Sequence, residues 1–170
     1  LYLDPVARTA YVIAFNTATP RETTLFGQDL FERAQATGGV DEPRYRAALA
    51  RAPVLARRLL DGLMGEHNVE ALVAPTLGPA WTTDILVGDH FVGGGASQLP
   101  AIAGTPHLTV PMGLVGGLPV GLSFIGEAWS EAKLLGFAYA YEQRANARVA
   151  PRYPRSIEDE QREALAPAGG

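Results

Sequence analysis

A hydroxyl three residues ahead of an amine is the first arrangement in this sequence that could do chemistry. Ser130 and Lys133 stand in S-x-x-K spacing, and at a helix start that puts them one turn apart, where the amine could take the hydroxyl proton and leave a nucleophile. A capping serine followed by a solvated lysine is the plainer account, because so short a motif carries little information. Residues 93–97, GGGAS, could turn backbone amides toward an anion. No Lys-Ser or Lys-Thr follows them, so they are not a P-loop; a loop or a backbone-lined pocket wall is expected. Ser123 in GLSFIG approximates a nucleophile elbow whose second glycine lies one place too far, and is expected to be a strand serine. His90 and His107, with Asp84 and Asp89, match no ligand rhythm, so no metal and no other cofactor is expected. Asp89, His90 and Phe91 remain candidates to touch a ligand, since polar and aromatic loop residues tend to do so. Trp81 either plugs the core or faces a substrate pocket. Arg44, Arg46, Arg51, Arg57 and Arg58 read as the solvated face of a helix.

These groups need elements to hold them. Leu25, Asp29, Phe31 and Ala34 before the Gly38-Gly39 pair predict a helix over Thr23–Ala36. The next helix has Asp41 as N-cap and Pro43 in its first turn. Tyr45, Ala48, Leu49, Ala52, Leu55, Leu59 and Leu63 lie along one face. Pro53 must kink it or start a second helix. VEALVAP, residues 69–75, predicts a buried strand closed by Pro75. The Gly-, Thr- and Asp-rich stretch that follows predicts a long loop, the kind of segment that often carries function. HLTVPMG (107–113) and LPVGLSFIG (118–126) predict a hairpin that Pro111 and Gly121 keep from being a regular ladder. Ser130 then caps a helix with Leu134, Phe137, Ala138 and Tyr141 on one face, ending before Pro151. Residues 151–170 form a polar tail that could include a short helix.

Composition sets the outer bounds. The chain has 170 residues, 47% hydrophobic and 19% charged, which predicts a single domain able to bury a core. A net charge of −4, with thirteen arginines and one lysine, gives no reason to expect nucleic acid or an anionic membrane as partner. The absence of cysteine excludes disulfides, thiolate metal sites and a cysteine nucleophile. No apolar run reaches the roughly 20 residues of a membrane helix, and the first residues do not read as a signal peptide. A cytoplasmic location is expected, with the periplasm left open. The chain begins at Leu1 without an initiator methionine, within what reads as an ordinary packed segment, and is expected to be a fragment.

Four blocks in order carry a resemblance: LVAPTLGPAW, LPAIAGTPHLTVPMG, GLPVGLSFIG and WSEAKLLGFAYAYEQ. Together, over about Val69 to Arg148, they resemble the C-terminal portion of the amidase signature family, with the flavour of the bacterial amidases that include peptide amidase. The resemblance implies an α/β fold, a mixed β-sheet flanked by helices. It implies hydrolysis of carboxylic amides by a serine relayed through a second serine to a lysine. Those groups belong to N-terminal and central segments of the family that nothing here matches; Lys133 falls outside the family's catalytic positions. The parent protein is therefore expected to hydrolyse an amide, and this chain, with no catalytic residue of its own, to be inactive. Its expected partners are the N-terminal half of the same amidase, a small amide substrate and other copies of itself. Its expected contribution is part of a substrate pocket, with Trp81, Asp84, His90 and Phe91 as the contacts. The competing reading is a non-catalytic binding module with an amidase-like fold, which would show a closed, polar surface. A third is an independent hydrolase built on Ser130 and Lys133.

Overall fold

Two adjacent glycines set the central hairpin. Gly116 and Gly117 have φ of 58° and 85°, the left-handed pair that a two-residue turn between twisted strands requires. They join β2 (His107–Val115) to β3 (Leu118–Ile125), paired from Val115↔Leu118 to His107↔Ile125. The register shifts between Pro111 and Gly113, where proline has no N–H to give the ladder. β1 (Leu72–Pro75) runs antiparallel to β3, with Leu72 opposite Ile125 and Ala74 opposite Ser123. The strand order is β1-β3-β2. The hairpin matches the sequence expectation and so does a strand ending at Pro75, but β1 begins at Leu72 and alternates between half-buried and exposed where a buried strand from residue 69 was expected; among the described residues the sheet is antiparallel throughout.

The computed structural model describes residues 5–91, 93–153 and 155–156. By internal contacts the chain divides into two units, Leu1–Arg51 and Ala52–Gly170. In the second unit, alternation along β3 sends side chains to opposite faces. On one face Phe124 and Val110 pack with Leu134 and Ala138 of α5 (Glu131–Ala145), with Leu108, Leu122 and Tyr141 around them. On the other, Ile125 meets Ala56, Leu60 and Met64 of α3 (Pro43–His67) and Ala103 of α4 (Gln98–Ala103). Helices on both faces of a sheet make this an α/β arrangement, as expected.

Several details differ from the sequence reading. The apolar stripe along α3 points outward: Leu55, Leu59 and Leu63 are 44%, 59% and 42% exposed, while the neighbouring column of Ala56, Leu60 and Met64 is buried. That buried column is the one that clusters with Ile125 of β3. Pro53 lies inside one continuous helix, leaving the Leu49 carbonyl without its usual donor four residues on. Asp41 does not cap α3; its carboxylate pairs with Arg46. The expected helix over Thr23–Ala36 shortens to α2 (Asp29–Gln35), after a 3-10 turn over Pro20–Thr23. Two helices went unforeseen: α4, only six residues long, and α1 (Pro5–Ala18). No described residue of the first unit whose side chain is placed is buried. The helix expected in the tail falls on residues from 157 onward, outside those described.

Candidate functional site: a hydroxyl chain over Gly121

Gly121 is where the sheet opens. A side-chain carbon there would stand 2.6 Å from the Thr109 hydroxyl oxygen and 2.8 Å from that of Thr76, so only glycine leaves room for both. Thr109 lies on β2 opposite Ser123. Thr76 follows β1 and donates its backbone N–H to the Gly121 carbonyl at 2.7 Å. The two threonines therefore reach across β3 from either side and meet at 2.6 Å.

Ser123 joins them to an imidazole. Fully buried in β3, its hydroxyl donates to Thr76 Oγ1 at 2.8 Å and stands 2.6 Å from His107 Nε2. A serine hydroxyl has one proton. Since that proton goes to Thr76, Nε2 must carry the hydrogen and donate to Ser123. The order is His107, Ser123, Thr76, Thr109, a chain of polar groups in an otherwise apolar sheet, directed as far as Thr76. Its outer end borders an open groove of about 460 Å³ lined by Thr76, Leu77, Gly78, Thr109, Pro111 and Gly121 among others, none of them charged. Residues 93–97 flank this end: the Ala96 N–H donates to the Thr76 carbonyl at 3.0 Å.

The sequence reading had Ser123 as a strand serine, which it is, without seeing its partners. Thr76 and Thr109 were missed, and Gly121 was read only as an interruption of the ladder. Thr109 and Ser123 do carry one signal, being polar at facing positions of apolar strands, but only the register reveals that they face each other.

Of the residues singled out earlier, His107 and Ser123 belong to this hydroxyl chain, whereas Trp81, Asp84, His90 and Phe91 do not line the groove. Trp81 and Phe91 meet edge-on, with ring centroids 5.2 Å apart. Asp84 closes its own turn, one carboxylate oxygen accepting the Leu86 and Val87 N–H groups at 2.9 Å each. His90 is exposed beside Phe91. Among the described residues, no three His, Asp or Glu side chains come together as a metal-holding group.

Ser130 and Lys133 are not assembled as nucleophile and base. Ser130 is the N-cap residue of α5, as expected, but its hydroxyl makes no capping hydrogen bond and donates instead to the Glu127 carbonyl at 2.7 Å. Lys133 reaches Glu70 at 2.5 Å. That hydrogen bond, with the attraction of the Glu70 charge, raises the Lys133 pKa above its ordinary 10.5. A base lysine requires the opposite shift.

No protein-family model matches the chain. A probable amidase of Arabidopsis thaliana is 33% identical over 156 residues, 90% of this chain and 27% of that protein. A glutamyl-tRNA(Gln) amidotransferase component of Pseudomonas entomophila is 28% identical over 145 residues, 74% of this chain and 29% of its own length. Among solved structures, a peptide amidase in complex with the competitive inhibitor chymostatin superposes with a TM-score of 0.79 at 48% identity, covering 85% of this chain and 30% of its own. The chain thus spans less than a third of the length of each of these proteins. Ordered sequence blocks, an α/β fold shared with a peptide amidase at nearly half identity, and a plant amidase matched along most of this chain lead to one conclusion: the chain belongs to the amidase signature family, matching a C-terminal portion of its members.

Proposed function

We propose that this chain is a C-terminal portion of an enzyme that hydrolyses the C–N bond of a carboxylic amide, and that it supplies wall and floor to a site whose nucleophile, relay and base lie on other polypeptide. The observation that carries the reading is the 48% identity to a peptide amidase at a TM-score of 0.79. The unassembled Ser130 and Lys133 support the second half of it: the chain's only lysine is held charged by Glu70. Trp81 and Phe91, joined edge-on, are proposed to contact the apolar part of the substrate, with Asp84 holding the turn between them and His90 at its edge.

Apolar surface supports a partner. Leu55, Leu59 and Leu63 form an exposed ridge on α3, and Tyr11, Phe15, Leu30 and Phe31 are exposed on α1 and α2. A free-standing binding module would cover such residues or replace them with polar ones. The remainder of the amidase is the proposed occupant.

Complementation tests the whole reading. The part of the peptide amidase that this chain does not span, coexpressed with the chain, is expected to release ammonia from a peptide amide. The chain by itself is expected to release none. Turnover by the purified chain alone, or failure of the mixture when both parts are soluble, overturns it.

A further inference from the structure

We infer that the groove beside Gly121 is a binding site for a neutral amide carbonyl, with the Thr76–Thr109 pair as its hydrogen-bond donor and His107 as the positioning residue behind it. Proton counting carries the inference. Ser123, Thr76 and Thr109 hold three hydroxyl protons between them. One goes from Ser123 to Thr76 and one bridges the two threonines, in whichever direction. The third has no partner among the described residues, and both threonines that could hold it line the groove. The site therefore offers a hydroxyl hydrogen to whatever enters.

The far end of the chain sets how Ser123 is used. With the Ser123 proton given to Thr76, the His107 Nε2 contact at 2.6 Å is one in which the imidazole donates, which ties the serine's orientation to the His107 tautomer. The groove's other walls decide the ligand's charge. They come from Leu77, Val110, Pro111, Pro119 and Val120, with no cation to balance an anion. An oxygen that accepts one hydrogen bond without a full charge, next to an apolar group, is what an acylated amide presents. The groove, about 460 Å³, is open along one side, so an acyl amide lying in it keeps one face in water.

This inference rests on the amidase reading for its choice of amide, and it can fail independently, because it concerns binding and not turnover. The test uses the 170-residue chain, with N-acetyl-leucinamide as probe and N-acetyl-leucine as its charged counterpart, followed by NMR. The amide is expected to shift the backbone signals of Thr76, Thr109 and Gly121. Thr109→Val is expected to raise its Kd about fivefold, the usual worth of one neutral hydrogen bond; Thr109→Ser, which keeps the hydroxyl, is expected to bind as wild type does. Imidazole nitrogen shifts of His107 are expected to show hydrogen on Nε2, and Ser123→Ala, if folded, to weaken amide binding while leaving the groove intact. Hydrogen on Nδ1 alone, absence of any shift at the groove up to the solubility of the probe, an unchanged Kd in Thr109→Val, or tighter binding of the carboxylate overturns the inference. Amide hydrolysis in the complementation experiment alongside any of these results leaves the amidase reading standing.

Discussion

Gly121 shows how one missing side chain organises a site. Were it alanine, the new carbon would stand well inside contact distance of two hydroxyl oxygens, and the bond between Thr76 and Thr109 would have to open. Gly121→Ala is expected to lower stability by about 1–3 kcal/mol, as overpacking of a close-fitting interior does, read from the urea midpoint at unchanged m-value. A wild-type midpoint in that variant would show that the threonines do not meet over this residue. The glycine was visible in the sequence only as an irregularity in a strand. Its reason lies in Thr76 and Thr109, which the chain brings to it from 45 and 12 residues away. Ser130 and Lys133 teach the converse. Adjacent in sequence and suggestive by spacing, they are claimed by Glu127 and Glu70 and never meet as a pair.

Helix α3 was legible as a helix, but the side it buries was not. Two apolar columns lie next to each other on it, and periodicity cannot choose between neighbours about 100° apart. The column that ends up inside is Ala56, Leu60 and Met64, which cluster with Ile125 of β3 and Ala103 of α4. Leu60→Ala is accordingly expected to cost about 2–5 kcal/mol, and Leu59→Ala less than about 0.5 kcal/mol, compared by urea unfolding. Equal losses, or the reverse order, would return the buried face to the column read from the sequence. The hairpin was easier to foresee, since a Gly-Gly loop between two apolar runs admits few other structures. α4 escaped because six residues do not make a period, and the 23–36 segment was overread because its polar residues around Gly27 interrupt a pattern that returns at Asp29.

At the scale of the molecule, the outward ridge of α3 has to be covered or tolerated. Alone in solution the chain is expected to self-associate through it, and Leu59→Glu to shift sedimentation toward monomer without moving the unfolding midpoint. The same variant is expected to lose complementation of the peptide amidase remainder, since a carboxylate would then be buried against an apolar partner. A variant that becomes monomeric yet complements fully would separate the two surfaces and remove the ridge from the amidase interface.

The amino-acid sequence by itself determined the family, the strands with their hairpin, the existence of α3 and α5, and the absence of cysteine chemistry. These follow from local signals: turn glycines, alternation, apolar periodicity and ordered blocks. Only the tertiary structure decided which column of α3 is inside and which hydroxyls share a proton chain. It also decided that Lys133 is an ion-pair partner held charged, where spacing alone allowed it to be a base. Each of those depends on groups far apart along the chain, and their distances are set by strand register and helix packing, which no local spacing encodes.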